Sequence, residues 1–132
     1  MKQETKVKKA KRLIEEMKKE RGYALAEWEF VCREDPDFFE AYNNLYRHSL
    51  GKGKFLDIKT KEFIAIAVLS YRGLPANNII AHIRRAMDHG ASRQEILEVI
   101  EATINVGGSP TFFIGLNALL TMEKTDLSKK AV

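Results

Sequence analysis

Apolar residues recur at intervals of three and four along almost the whole chain, and no stretch sustains the every-other-residue alternation of a half-buried strand. Helix punctuation divides that pattern into segments. Val7, Ala10, Ile14 and Met17, with Leu13 beside them, mark a helix over 5–20. Leu25, Trp28, Val31 and Cys32 mark a second over 23–34, interrupted at Asp35-Pro36, because proline disfavours helical geometry in the residue before it. A third, over 37–50, carries Phe38, Tyr42, Leu45 and Tyr46 and gives way to the loop Gly51-Lys52-Gly53-Lys54. Asp57 is suited to cap a fourth helix that runs to about Arg72, and Gly73 and Pro75 turn the chain into a fifth, closed at Gly90. Ser92-Arg93-Gln94-Glu95 has the form of a capping box and opens a sixth helix, with Ile96, Leu97, Val99, Ile100, Ile104 and Val106 as its apolar content. Gly107-Gly108 closes it, Ser109-Pro110 starts a seventh, and the polar end from Lys124 reads as frayed. The expectation is an all-α domain of about seven helices spanning 1–132.

At 132 residues the chain is long enough for one continuous core. Its longest apolar run, Phe63 to Leu69, falls far short of the roughly 20 residues that cross a bilayer. The first residues lead into a charged segment rather than an apolar signal core, so the expected compartment is the cytoplasm. The formal charge of +4 is local in origin: residues 1–21 hold nine Lys or Arg against four Glu, leaving 13 basic and 14 acidic residues elsewhere. No aromatic residue interleaves these N-terminal lysines as a stacking platform for nucleic acid requires, so the segment reads as a solvated helix face.

The chemistry concentrates in the fourth and fifth segments. At 100° per residue, Glu62 falls in the apolar stripe of Ala65, Ile66, Leu69 and Gly73. An unpaired carboxylate there costs several kcal/mol, so it needs a cation, a proton-carrying role, or an escape to solvent beside Lys59 or Lys61. On the fifth segment Asn78, His82, Arg85 and His89 form one stripe along the edge of the face made by Ile79, Ile80, Ile83, Ala86 and Met87. Histidine suits acid–base work, arginine grips carboxylates, and asparagine donates to an oxyanion. The plainer alternative is a set of surface residues bordering an amphipathic helix. His82 and His89 are about 10 Å apart along a straight helix, too far to chelate one ion. Cys32 reads as a buried structural thiol. No phosphate loop, nucleophile elbow or Cys-x-x-Cys occurs, so no cofactor or metal is implied.

The stretches LDIKTKEFIAIAVLSYRG and HIRRAMDHGASRQEILEVIEATINVGGSPTFFIGLNALL resemble carboxymuconolactone decarboxylases and the alkyl hydroperoxide reductase D-type proteins that share their fold. The resemblance covers roughly 37–122. It rests on Leu56-Asp57 ahead of Lys61-Glu62, on the histidine eight residues before Gly90-Ala91-Ser92, on Glu95, and on Gly107-Gly108 with Pro110. It implies an all-helical fold with a central helical hairpin, assembled as a homo-oligomer, commonly a trimer or hexamer. The family's redox branch carries a glutamate and then Cys-x-x-Cys-x-x-x-His. Counting back from His82, the cysteine positions are Pro75 and Asn78, and the glutamate-to-histidine gap is one residue longer here. Without a thiolate there is no peroxide-reducing nucleophile.

The decarboxylase branch needs no thiol, and the resemblance implies a lyase acting on a small anionic lactone or carboxylic acid. His82 would donate the proton, Glu62 would orient it, Arg85 would anchor a carboxylate, and Asn78 and His89 would bind substrate. The competing expectation is a non-catalytic helical oligomer that keeps the scaffold and binds a ligand or partner.

Overall fold

The computed structural model describes residues 3–131 and contains seven helices and no strand among them. They are α1 (Lys6–Arg21), α2 (Ala26–Glu34), α3 (Pro36–Ser49), α4 (Ile58–Tyr71), α5 (Ala76–Asp88), α6 (Arg93–Ala102) and α7 (Ile104–Lys130). None is long and apolar enough to cross a membrane. The chain divides into two compact units, Met1–Gly53 and Lys54–Val132.

The first unit is a three-helix cluster. Thr5 caps α1 by accepting from the Lys8 amide, and Asp35 caps α3 by accepting from Phe38, with Pro36 in the first turn where a missing N–H costs nothing. Ala10, Leu13, Met17, Cys32 and Phe39 form the core, flanked by a Trp28–Tyr42 stack with ring centroids 3.8 Å apart. The apolar face of α3 differs from the one its periodicity suggested. Tyr46 is buried as expected, but Phe38 and Leu45 are 57% and 64% exposed, and Phe39 and Asn43 are buried instead. The cause is Arg21, which follows Met17 by four residues on the inner stripe of α1 and is buried. Its guanidinium lies 3.7 Å over the Tyr46 ring and donates to Asn43 Oδ1 at 2.5 Å, so a polar residue faces inward where an apolar one was expected.

The second unit packs α4, α5, α6 and α7 around Ile66, Ile79, Ile83, Ala86, Ile96, Ile100, Ala118, Leu119 and Met122. Each fully buried isoleucine is worth about 2–3 kcal/mol relative to exposure. Asp57 caps α4 through the Thr60 amide, and α5 begins after Pro75. The capping box of α6 forms reciprocally: Ser92 Oγ accepts from the Glu95 amide, and Glu95 accepts from the Ser92 amide.

Three boundaries depart from the sequence reading: α2 begins at Ala26 rather than at 23, and the other two lie at the end of α6 and at the C-terminus. Helix α6 stops at Ala102, before Ile104 and Val106, and a further turn precedes a break at Gly108, whose φ of 80° and ψ of 174° are helical for no residue. Pro110 then restarts a regular helix. The polar C-terminal stretch is helical to Lys130 rather than frayed. Leu119 and Met122 anchor it in the core, and ion pairs from Arg84 to Asp126 and from Arg93 to Glu123 hold the turns beyond.

Candidate active site

Helices α4 and α5 form a helical hairpin whose turn, Arg72 to Pro75, is closed by the Leu74 amide donating to the Leu69 carbonyl. On α4 the side facing the core carries Glu62, Ile66 and Ser70, all buried. A carboxylate is therefore planted among aliphatic residues. It does not escape to solvent: its side chain is 0% exposed. Lys59 is not its partner either, since Lys59 bonds Glu95 at 3.2 Å.

The compensation comes from α5. Glu62 Oε2 lies 2.5 Å from His82 Nδ1, within hydrogen-bond distance, and Oε1 accepts from Arg85 Nη1 at 3.0 Å. With Glu62 ionised the carboxylate only accepts and the proton of the first contact lies on Nδ1; with Glu62 protonated it lies on Oε2. Each carboxylate oxygen thus has a separate cationic or neutral donor, which is what makes burial of its charge tolerable. Exposure rises along the cluster, from 0% for Glu62 to 5% for Arg85 and 15% for His82, so the imidazole is the end nearest solvent.

Of the five residues singled out on sequence grounds, the structure joins three. Asn78 is half-buried and His89 is exposed beyond the last turn of α5, where its amide bonds the Arg85 and Ala86 carbonyls. Neither side chain enters the Glu62–His82–Arg85 triad. Arg85 has a different setting from the one expected of a substrate anchor, because its guanidinium is turned onto Glu62 and buried. Sequence reasoning passed over Ser70, which sits two turns along from Glu62 on the same face; its hydroxyl donates to the Ile66 carbonyl at 2.7 Å. The signal was available in the spacing 62, 66, 70.

Among the described residues no three His, Cys, Asp or Glu side chains gather as a metal cage requires. Cys32 lies in α2, fully buried, with its Sγ–H directed to the Ala10 carbonyl at 3.5 Å, and burial raises its thiol above the ordinary range. The two positions that hold thiols in the redox pattern carry Pro75 and Asn78.

A buried acid thus meets an imidazole across a helical hairpin of an all-helical unit. The sequence profile of the carboxymuconolactone decarboxylase family matches residues 36–120, and the chain belongs to that family. An uncharacterized protein of Methanocaldococcus jannaschii is 29% identical over 92 residues, which span 70% of this chain and 84% of that protein. Two crystal structures share the fold. One is a candidate carboxymuconolactone decarboxylase from Burkholderia xenovorans (TM-score 0.74, 24% identity, 95% of this chain and 98% of that one). The other is a carboxymuconolactone decarboxylase family protein from Legionella pneumophila (TM-score 0.66, 23% identity, 88% and 96%).

Proposed function

We propose that the chain is a thiol-independent carboxy-lyase acting on a small anionic lactone or carboxylic acid, with His82 as the proton donor. In such a reaction the bond between the ring carbon and the departing carboxylate breaks, carbon dioxide leaves, and the electron pair passes into the conjugated lactone. A proton must then reach carbon. Protonated His82 supplies it from Nε2, since Nδ1 is committed to Glu62, and the imidazole left behind is neutral.

The observation that carries this reading is the balance of charge in the triad. Glu62 and Arg85 cancel, so a neutral His82 leaves the cluster neutral and a protonated one leaves it with one net positive charge. An anionic substrate is complementary to the protonated form, the one that can donate. Arg85 then acts through Glu62 rather than on the substrate, and Asn78 and His89, on the same edge of α5, are the binding candidates.

The same geometry also favours a second reading. A carboxylate with both oxygens satisfied is a self-sufficient buried network, which a non-catalytic scaffold or ligand-binding protein could retain simply to lock α4 against α5. Under either reading we propose a homo-oligomer, supported by the exposed apolar stripe Ile64, Val68 and Tyr71 on α4 and by Phe113, Leu120 and Leu127 along α7.

The deciding experiment is carbon dioxide release from a panel of carboxylated lactones, carboxymuconolactone first, by the wild-type chain and by His82→Gln. Turnover that His82→Gln abolishes while its circular dichroism is unchanged supports the lyase. Equal rates in both remove His82 from the chemistry, and no turnover across the panel favours the scaffold.

A further inference from the structure

Arg85, expected to anchor a substrate carboxylate, grips the Glu62 carboxylate instead. Along a helix each residue rises about 1.5 Å, so Glu62, nine residues before Tyr71, and Arg85, nine residues after Ala76, both lie about 13 Å from the hairpin turn. They are level with one another. His82 shares Arg85's face of α5 one turn nearer the turn, at about 9 Å. The carboxylate of Glu62 is therefore met by two donors at two heights, and each takes a different oxygen.

We propose that Arg85 is a positioning residue that fixes the Glu62 carboxylate with Oε2 turned to His82, and so holds the neutral imidazole in the Nδ1–H form with Nε2 as its working nitrogen. The physical argument has two parts. The first is orientation. Arg85 Nη1 bonds Oε1 at 3.0 Å, which opposes rotation of the carboxylate and leaves Oε2 facing Nδ1 at 2.5 Å. The second is charge. A buried carboxylate whose only neighbour is an imidazole must borrow a proton to become neutral. Beside a guanidinium it is balanced already, so the ring can be neutral and still donate from Nδ1. Arginine fits this task because it stays charged when buried and its flat fork fixes direction.

The consequence for catalysis rests on the lyase reading above, but the positioning itself needs no substrate to test. The experiment is a long-range proton–nitrogen NMR spectrum of uniformly nitrogen-15-labelled protein, which separates the two neutral tautomers; His82 is assigned by its loss in His82→Gln. Wild type is expected to show neutral His82 as the Nδ1–H form. Arg85→Met should convert it predominantly to the Nε2–H form, and Arg85→Lys, which keeps a cation, should restore the wild-type pattern. Should Arg85→Met not fold, Arg85→Gln keeps a neutral donor and should show a mixture of the two forms.

A purely Nδ1–H ring in either folded variant overturns the proposal, as does a wild-type ring in the Nε2–H form or a lysine variant that matches the methionine one. These outcomes are independent of the lactone assay. A tautomer that depends on Arg85 in a protein without turnover keeps the positioning and rejects the lyase; an unchanged tautomer in an active enzyme does the reverse.

Discussion

Glu62 and His82 are 20 residues apart in the chain and 2.5 Å apart in the structure, joined across the α4–α5 hairpin with the acid wholly buried and the imidazole reaching towards solvent. Because Arg85 occupies the other carboxylate oxygen, the contact belongs to a three-residue cluster whose members respond to substitution together.

Removing Glu62 alone leaves the Arg85 guanidinium buried without its acid. Glu62→Ala should therefore lose about 3–5 kcal/mol in urea unfolding. The double substitution Glu62→Leu with Arg85→Met removes both charges and should lose much less than the sum of the two single changes. Additive losses would show that the pair is not coupled.

Cys32 should behave as an inert thiol. Burial raises it, so its thiolate fraction at pH 8 is below that of a free cysteine, and its sulfur is inaccessible in the native state. Ellman's reagent should react slowly with folded protein and rapidly in urea. Cys32→Ala should leave any lyase turnover unchanged.

The capping box gives a pH signature. The Glu95 carboxyl is held below the usual carboxylate range, chiefly by the Ser92 backbone N–H and next by Lys59. A lowered folded value means that its stabilisation is present above the unfolded glutamate range, near pH 4–5, and is lost as pH falls through the folded value. Glu95→Gln should flatten the acid side of the stability curve. Ser92→Ala, which removes the side-chain acceptor, should cost about 1 kcal/mol at neutral pH.

Two glycines test the packing of α7. A Cβ at Gly115 would lie 3.0 Å from Ser70 Oγ and 3.2 Å from Ile100, between α4 and α6, so Gly115→Ala should destabilise by about 1–3 kcal/mol. At Gly108 the obstacle is backbone conformation. Its φ of 80° with ψ of 174° lies in a region open essentially to glycine, and Gly108→Ala should cost of order 1–3 kcal/mol although no side chain crowds it. Thermal unfolding distinguishes both from a neutral surface change such as Lys124→Ala.

The legible parts of the fold were those set by near neighbours. Asp57 with Thr60 and Ser92 with Glu95 are bonds between residues three apart, and they marked the starts of α4 and α6 correctly. The family resemblance supplied the hairpin, and the placement of Glu62 within an apolar stripe marked it as an acid needing either a partner or an escape to solvent. The inward face of α3 was harder to see. Periodicity offered Phe38, Tyr42, Leu45 and Tyr46; Tyr46 is buried as expected, but Arg21 from α1 draws Asn43 inward while Phe38 and Leu45 stay exposed. The C-terminal turns misled for a related reason: their partners, Arg84 and Arg93, are 42 and 30 residues away.

What the amino-acid order determined alone was helix content, the capped starts of α4 and α6, the place of Glu62 in an apolar stripe and the absence of a redox dithiol. These follow from a repeat of 3.6 residues per turn, from hydrogen bonds spanning three or four residues, and from composition. Tertiary structure decided which cation answers Glu62. Lys59 and Arg85 both had the right charge, but only the register of two antiparallel helices brings Arg85 level with the carboxylate, and that register is set by side-chain packing across the whole hairpin rather than by any local signal.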